Sequence, residues 1–298
     1  MKKIALFHRV WFDSGERFLE GAKKMGVDMI PVNYQDLVFR QESSGFEIFC
    51  SGKPLSDFDL FYFRAVGAAT EWAALLVIYA KDRQIPIVDD YLGVWGSIRR
   101  LKSLAGLVLA QNKVAYPKTS LATDRDQFFK EIKNFSYPFV LKVSKGGRHG
   151  IGTFLVQDEK ILERVVKGRI ESSSFLIQEY IKNDGDYRLF LVGYKVLGAF
   201  KRQKKEEKLV LNRSLGPSES LKEVPAEVIS LAEKTAAVLK IEICAIDMVI
   251  DEQTGRPVVI EANEAPQFSV FEKRTGIDVG EKIVEYLVRK AKKGVARP

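Results

Sequence analysis

Cysteine and histidine are scarce in this sequence, which limits the chemistry that it can carry. Its 298 residues include only two cysteines and two histidines. Cys50 and Cys244 lie far apart, and Cys244 falls in an apolar stretch, so we expect neither a disulfide nor a CxxC metal site and infer a reducing, cytoplasmic environment. His8 and His149 show no partner pattern for zinc or for a Ser-His-Asp triad. We interpret both histidines as incidental.

Long apolar runs are also missing. The opening MKKIALFHRV resembles a signal peptide, but its apolar run ends at His8 and Arg9, which is too short for the hydrophobic region of such a peptide. No segment is apolar for the roughly 20 residues that a membrane-spanning helix needs. Hydrophobic residues at 46% and charged residues at 29% are ordinary for a globular chain. We therefore expect no membrane partner, and the length favours two or three lobes.

Basic residues exceed acidic ones, giving a formal charge of +8. This excess favours nucleotides, acidic peptides, nucleic acid or a membrane surface as partners, and charge alone does not choose among them. Two phosphate-binding motifs are absent: Gly52-Lys53 is followed by proline rather than by the helix of a GxxxxGK[ST] loop, and no spacing fits GxGxxG. No basic motif interleaved with aromatic residues supports a nucleic-acid interface, so we expect no such partner.

The most informative stretch is residues 241–266, which reads as two strands joined by a turn at Thr254 and Gly255. Asp247 and Glu261 are equally far from Thr254, so the pairing places them opposite each other with Cβ atoms about 5 Å apart. Side-chain alternation puts Asn263 on the same face as Glu261. Oxygen groups of this kind suit Mg²⁺. An exposed hairpin whose acids pair with lysines is an equally good interpretation of this segment alone.

The first 95 residues alternate strands with helices, which predicts a mostly parallel sheet. Arg64 ends one of these strands, at the edge where ligands gather in such sheets. As an isolated feature it is better explained as a surface arginine after a strand.

A glycine-rich segment separates two apolar strands further along, YPFVLKVS before it and TFLVQ after it. Its glycines, which lack Cβ atoms and allow backbone N–H groups to approach an anion, are Gly146, Gly147, Gly150 and Gly152. Lys142 stands on the strand before them. A loose hairpin tip is the alternative.

The following strands carry charged side chains on one face. Alternation places Asp186 and Arg188 together, and it places Arg202 on the face of Phe200 and Gly198. The charge run from 201 to 208 reads as a solvated loop except at Arg202.

In order along the chain, these pieces resemble the ATP-grasp ligases, and among them the RimK-like group. The matching motifs are FDLFYFRAVG with Arg64, the helix with Lys102, VLK with Lys142, KGGRHGIG, QEYI at 178–181, DYR at 186–188, KR at 201–202, Asn212 with Gly216, Asp247, and EAN at 261–263. The resemblance covers nearly the whole chain. It favours the metal interpretation of the hairpin over the exposed one.

The resemblance implies an α/β fold with a Rossmann-like amino-terminal lobe and a two-lobed ATP-grasp module. The implied domains are 1–95, 96–180 with the glycine-rich loop, and 181–298 with the metal site. The implied reaction is ATP-dependent ligation of a carboxylate and an amine through an acyl phosphate, with ADP and phosphate as products. The implied partners are an amino acid and a carboxylate on a small molecule or peptide. Whether the chain forms a homo-oligomer stays open.

The resemblance also assigns roles to residues. It places ATP against Lys102, Lys142, the glycines of the loop, Gln178, Glu179, Tyr180, Ile181 and Asp186, with the main chain of Glu179 and Ile181 reading the adenine and Asp186 near the ribose. It assigns one or two Mg²⁺ ions, with Mn²⁺ as a substitute, to Asp247, Glu261 and Asn263. It assigns the acceptor substrate to Arg64, Arg188, Arg202 and Asn212, and the catalytic roles to Arg202, Arg188 and Lys142.

One turn departs from the family pattern. After Asn263 the chain has Glu264, Pro266 and Gln267 where the family commonly has a small residue and a glycine. This turn lies beside the implied acceptor site, so the family's substrate does not transfer directly. An ATP-binding regulator without ligase activity is the alternative function from another class.

Overall fold

Three sheets, each covered by helices, make up the main body of the protein. The computed structural model describes residues 1–12, 15–43, 45–64, 66–89, 92, 102–143, 152–167, 175–204, 215–221 and 223–293. Among these residues no helix is both long enough and apolar enough to cross a membrane.

The amino-terminal region combines a parallel sheet with a small antiparallel one. Its elements in chain order are β1 (Lys2–His8), α1 (Gly15–Lys24), β2 (Val27–Asn33), β3 (Leu37–Glu42), β4 (Gly45–Cys50), β5 (Lys53–Pro54), β6 (Leu60–Phe63), α2 (Thr70–Asp82) and β7 (Ile87–Val88). The parallel strands follow the order β2-β1-β6-β7, and β3, β4 and β5 form the antiparallel sheet. The alternating strands and helices of the sequence therefore give the expected parallel sheet.

The central region is an antiparallel sheet backed by two helices. Its elements are α3 (Lys102–Gln111), β8 (Thr119–Ala122), α4 (Arg125–Ile132), β9 (Phe139–Val143), β10 (Thr153–Val156), α5 (Glu159–Val166) and β11 (Phe175–Glu179). The strand order is β10-β9-β11-β8. Lys142 pairs with Thr153 across β9 and β10, which confirms that the glycine-rich segment joins two antiparallel strands. Helix α3 precedes this sheet in the chain but contacts the carboxy-terminal region.

The carboxy-terminal region has the largest sheet. Its elements are β12 (Gly185–Val192), β13 (Lys195–Lys204), β14 (Leu215–Ser220), α6 (Ala226–Leu239), β15 (Ile243–Ile250), β16 (Pro257–Asn263), α7 (Ser269–Thr275) and α8 (Val279–Lys293). The strand order is β14-β13-β12-β15-β16. The first strand pair and the hairpin of residues 241–266 both form as the sequence predicts.

The five-stranded sheet is apolar on both faces. On one face Leu189, Ile246 and Met248 pack in the cluster that includes the buried residues of α6. On the other face Phe190 and Phe200 join a cluster with residues of α7 and α8. Burying apolar surface stabilises a fold by roughly 25 cal/mol per Å², and this sheet buries such surface on both sides. It is therefore the well-packed support of the polar site.

Helix α8 joins the carboxy-terminal sheet to the amino-terminal one. Its inward residues Val279, Ile283, Val284 and Leu287 are at most 1% exposed, as their helical spacing predicts. The helix contacts α1, β1, β6 and β12. The two regions therefore share one core, although their sheets come from opposite ends of the chain.

Candidate active site

Six polar side chains lie on one face at one end of the five-stranded sheet. Cross-strand pairs set their positions, because Asp186 lies opposite Arg202, Arg188 opposite Asp247, and Asp247 opposite Glu261. Asn263 is two residues beyond Glu261 on the same strand. The rest of this face is apolar and covered by α7 and α8. The polar end therefore forms a charged patch on a packed sheet, as the alternation around Arg202 indicates.

The hairpin that carries the predicted metal ligands contains a β-bulge. The register shifts between Asp247 and Met248, so that Met248 pairs with Val259 and Ile260 is the extra residue. The Ile260 carbonyl accepts a hydrogen bond of 3.4 Å from Lys142 Nζ. The hairpin is mostly buried, with Asp247 only 8% exposed. The exposed-hairpin alternative is therefore wrong.

Two arginines neutralise Asp247. Arg188 Nη1 lies 2.9 Å from both carboxylate oxygens, and Arg202 Nη2 lies 3.1 Å from Oδ1. Asn263 Nδ2 donates to Oδ2 at 3.3 Å. The repulsion between Asp247 and Glu261 that the sequence predicts is therefore offset on the Asp247 side by guanidinium groups. The sequence argument did not anticipate these ion pairs.

Asp186 and Arg202 form an ion pair on neighbouring strands. Burial raises the pKa of the Asp186 carboxyl, and Arg202 acts in the opposite direction. Burial opposes the charge of Arg202, but Asp247 and Asp186 outweigh it and raise the pKa of the guanidinium above its ordinary value. Asp186 is therefore tied to Arg202 in this state, and its assignment to the ribose stays a prediction.

Lys142 carries its ammonium group into this patch from the central sheet. The residue is 7% exposed, and burial lowers its pKa to about 8, with Lys102 acting in the same direction. Glu261 and Asp247 oppose this shift. The protein thus brings together two lysines and two carboxylates from α3, β9, β15 and β16, four segments that are distant in sequence. A polyphosphate with its metal ion would match this alternation of charges.

Tyr116 belongs to this region and was missed by the sequence analysis. Burial raises the pKa of its phenol, Gln178 hydrogen-bonds to it, and Glu261 lies close enough to raise the pKa further. A Cβ atom on Gly106 of α3 would lie 3.2 Å from the Tyr116 ring. Gln178 is 2% exposed and donates to Thr119 Oγ1 at 3.0 Å. The only signal at Tyr116 in the sequence is the proline that follows it, and a Tyr-Pro dipeptide indicates the end of a helix rather than a binding site.

The end of β11 carries the residues that the resemblance assigns to adenine. The Glu179 N–H donates to the Lys118 carbonyl at 3.0 Å, and the Lys118 N–H donates to Glu179 Oε1 at 2.6 Å. The Ile181 carbonyl accepts from Asn183 Nδ2 at 2.7 Å. These bonds use the Glu179 N–H and the Ile181 carbonyl, and the assignment of the main chain of Glu179 and Ile181 to the base stays a prediction.

Arg64 reaches from the amino-terminal sheet to the turn after the hairpin. Its Nη2 donates to the Pro266 carbonyl at 3.0 Å. Its guanidinium lies over the rings of Phe12 and Phe268, at 5.3 and 5.6 Å from their centroids. It follows β6 at the carboxyl end of the parallel sheet, as predicted, and it is anchored to the turn that departs from the family pattern.

Some predicted residues lie outside the described part of the chain, namely Gly146, Gly147, Gly150 and Asn212. Gly152 is described, and its φ of +94° with Val143 Cγ2 at 3.0 Å from an added Cβ explains why glycine is needed there. In the described residues no group of three or more His, Cys, Asp and Glu side chains forms a metal cluster. The predicted metal set has only two carboxylates, and its third member is Asn263.

Comparison with solved structures gives the class of protein. A RimK domain ATP-grasp protein from Sphaerobacter thermophilus has a TM-score of 0.69 at 21% identity, covering 96% of this chain and 99% of its own. The ATP-grasp ligase PsnB, solved with a phosphomimetic variant of its minimal precursor, Mg and ADP, has a TM-score of 0.73 at 15% identity, covering 97% and 98%. The chain therefore has the ATP-grasp fold.

Sequence comparison then gives the family. Residues 99–287 match the model of the RimK-like ATP-grasp domain, and the chain belongs to this family. A "probable alpha-L-glutamate ligase" of Stutzerimonas stutzeri is 28% identical over 291 residues, covering 96% of this chain and 95% of its own length. One from Halorhodospira halophila is 30% identical over 305 residues, covering 99% and 97%. The protein is an ATP-grasp ligase, an enzyme that forms carbon–nitrogen bonds.

Proposed function

We propose that the protein joins the amine of an amino acid to a carboxylate on a small molecule or peptide through an acyl phosphate. The observation that carries this proposal is the convergence of Lys142 and Lys102 with Asp247 and Glu261, beside two partly buried arginines, Arg188 and Arg202. Phosphoryl transfer needs chiefly positioning and neutralised charge. These residues provide both without a nucleophilic side chain.

Asp247, Glu261 and Asn263 are the residues that would hold magnesium. Two carboxylates and an amide oxygen are hard donors of the kind that Mg²⁺ takes alongside substrate phosphates. When bound, the ion neutralises phosphate charge and polarises the transferred group. Arg188 Nη1 lies 2.9 Å from both Asp247 oxygens, and each carboxylate oxygen has a further lone pair that would be available to a metal ion. We propose that Arg188 turns toward the phosphoryl group when the metal binds.

The remaining residues bind and orient the reactants. Lys142 and Lys102 hold the phosphates of ATP, and a carboxylate oxygen of the acceptor attacks the γ-phosphorus while the bond to ADP breaks. The amine then attacks the acyl carbon, phosphate leaves with the electron pair of the carbon–oxygen bond, and the amine loses a proton to solvent. Arg202 and Arg188 stabilise the negative charge of both steps. Arg64 and the turn at Pro266 form the boundary of the site on the acceptor side.

The name of the curated relatives points to glutamate as the first substrate to test. Several solved neighbours are bound to precursor peptides, so acidic peptides are the second class. A net charge of +8 supports an anionic substrate in either case.

The experiment is phosphate release from Mg-ATP in the presence of single amino acids and of glutamate-rich peptides, with mass spectrometry of the products. We expect ADP and phosphate in equal amounts with an amide product lighter than its two components by one water. AMP and pyrophosphate would show adenylation instead and would contradict the acyl-phosphate route. ATP binding without any amide product would favour the regulator alternative.

A further inference from the structure

His8 is the only described histidine, and it lies in a buried environment that gives a reason to consider a role for it. It ends β1 and is 7% exposed. Its Nδ1 atom is buried and has no hydrogen-bond partner among the described residues. Burial lowers the pKa of the imidazole, although Asp36 opposes this shift. The ring is therefore neutral near pH 7, with one nitrogen that no described protein group satisfies.

Arg64 is the neighbour of His8 on the same face of the sheet. The parallel register pairs Leu6 with Tyr62 and Phe7 with Phe63, so its next step places His8 beside Arg64. Leu6 and Tyr62 both belong to the core cluster on this face, and side-chain alternation puts His8 and Arg64 on it too. Arg64 Nε is also buried and without a partner among the described residues.

Two buried polar atoms without partners are costly. A buried polar group without a hydrogen bond costs about 1–3 kcal/mol, and most buried polar groups in proteins have a partner. An apolar residue at position 8 would avoid this cost, since Ile4 and Leu6 precede it on the same face of the strand. The pair lies at the carboxyl edge of a parallel sheet, where α/β proteins bind their ligands. Both observations point to a group that is supplied by a ligand.

Aromatic rings form the walls around this pair. Trp11 contacts the His8 ring edge-on at 4.9 Å between centroids, and Phe12 and Phe268 flank Arg64. Trp11 is 36% exposed, so it is the wall at the surface. Because both nitrogen atoms are buried in this state, a ligand reaches them only when neighbouring side chains move. Arg64 Nε is an N–H donor, and His8 Nδ1 is one in the tautomer that carries its hydrogen there, so a planar group with two oxygen atoms has the chemistry to satisfy both.

We propose that His8 and Arg64 together bind a carboxylate of the acceptor substrate, with His8 Nδ1 and Arg64 Nε as donors, and that His8 determines specificity for this group. The inference rests on the proposed function, in which Arg64 faces the acceptor, and adds His8 and the chemical class of the ligand. The carboxylate held here is not the one that reacts. It anchors the substrate from the amino-terminal sheet while a second carboxylate reaches the charged patch, so the substrate class is a dicarboxylate such as a glutamyl group.

Binding is tested by titrating glutarate and L-glutamate, with uncharged glutaramide as the control ligand, into the full chain loaded with Mg and a non-hydrolysable ATP analogue. We expect saturable binding of both dicarboxylates and none of glutaramide. His8→Phe keeps an aromatic ring and removes both nitrogens, so it should weaken dicarboxylate binding at least tenfold. His8→Asn places an amide near the position of Nδ1 and should recover part of the affinity.

Stability separates this role from a structural one. If His8 is kept for ligand binding, His8→Phe removes an unsatisfied buried atom and should leave the melting temperature of the unliganded protein unchanged or higher. A lower melting temperature with unchanged dicarboxylate affinity would overturn the proposal. Unchanged affinity in a variant of equal stability would overturn it as well.

Arg83 offers a matched control for Arg64. It lies in the same region, donates at 3.0 Å to the Phe46 carbonyl, and lies over the rings of Phe46 and Tyr79 at 5.8 and 5.6 Å. Arg64→Lys should weaken dicarboxylate binding at least tenfold, whereas Arg83→Lys should leave it unchanged. Equal effects of the two variants would reduce Arg64 to a packing residue and overturn the inference.

The sequence has only two histidines, so nitrogen-15 spectra of the imidazole rings report directly on His8, with His149→Gln used for assignment. The His8 Nδ1 signal should shift on addition of glutarate and not of glutaramide. Absence of dicarboxylate binding to the wild-type protein, with the ATP analogue still bound, would overturn this inference and leave the proposed function standing. Loss of nucleotide binding itself would count against the proposed function.

Discussion

Lys142 keeps its ammonium group in the interior at a cost to folding. Its pKa is about 8 in the folded protein, below the ordinary lysine value of about 10.4 that we expect when the chain is unfolded. The unfolded chain therefore binds more protons between these values, and the stability of the unliganded protein should rise as the pH is raised from about 8 to 10.4. Phosphate binding is the compensation that we propose for this cost.

Replacing Lys142 with methionine should remove that cost and the nucleotide affinity together. In the presence of EDTA, we expect Lys142→Met to melt at a higher temperature than the wild type at pH 7 and to lose the rise in stability above pH 8. The Kd for ATP should increase at least tenfold, or about 1.4 kcal/mol. Thermal melts across the pH range and calorimetric titration measure both. The exposed Lys130 provides the control, since Lys130→Met should change neither quantity.

Glu261 is the second residue whose role can be isolated. As a metal ligand it should couple magnesium to nucleotide binding, because its carboxylate faces Asp247. In Glu261→Gln we expect ATP to raise the melting temperature equally with and without magnesium, and amide formation to stop. Glu252 lies in the turn of the same hairpin and pairs with Lys182, so Glu252→Gln should behave as wild type. An active Glu261→Gln enzyme with normal magnesium dependence would remove Glu261 from the metal site.

At the scale of elements, the pairing of β12 with β13 holds Asp186 against Arg202. Gly185 opens this pair with a φ of +145°, and a Cβ atom there would lie 2.3 Å from the Arg202 carbonyl oxygen. The clash is with a backbone atom, so rotation of a side chain cannot relieve it. Glycine at this position is therefore a requirement of the strand pair that carries the two site arginines.

Gly185→Ala should therefore separate the two strands at their beginning. We expect a loss of at least 2 kcal/mol in the free energy of unfolding, since strain at a positive φ and a backbone clash act together. Gly255 also has a positive φ, of +69°, but nothing lies within 4 Å of an added Cβ. Gly255→Ala therefore introduces backbone strain without a clash and should cost only about 1 kcal/mol. Denaturant titration gives both values. Equal losses would mean that β13 accommodates the methyl group.

At the scale of the whole molecule, a buried carboxylate joins the first sheet to the last. Asp89 follows β7 and is 1% exposed, and its Oδ1 accepts from the N–H groups of Glu242 and Ile243 at 2.8 and 3.0 Å. Lys290 of α8 pairs with Glu242 and donates to the Ile87 carbonyl at 3.0 Å. These contacts connect the end of β7 to the start of β15 and to α8.

Asp89→Ala should leave two buried N–H groups without an acceptor. At about 1–3 kcal/mol for each of the two groups, we expect a loss of roughly 2–6 kcal/mol in the free energy of unfolding. Asp59, which accepts from the Lys3 N–H at 2.9 Å and pairs with Lys2 within the amino-terminal region, is the partly exposed control, and Asp59→Ala should cost less because water can replace its bonds. If the two variants lose equal stability, the contact between the regions is not a principal source of stability.

Local patterns were sufficient for the elements that carry the site. Alternation and turn residues predicted the hairpin and the facing of Asp247 and Glu261, because β pairing depends on distance from the turn. The helical spacing of Val279 and Leu287 predicted the buried face of α8. Neither pattern contains information about partners from another strand pair, so the ion pairs of Arg188 and Arg202 with Asp247 were not predicted.

The class of chemistry could be inferred from the order of lysines, glycines and carboxylates along the chain, which is typical of the ATP-grasp ligases, and from the lack of a CxxC, zinc or triad pattern. Which of these groups meet depends on the folded structure. Lys142 and Ile260 are 118 residues apart, and Arg64 and Pro266 are 202 apart. Such contacts depend on how separately folded sheets bury their apolar faces against each other, and short-range periodicity does not encode that arrangement.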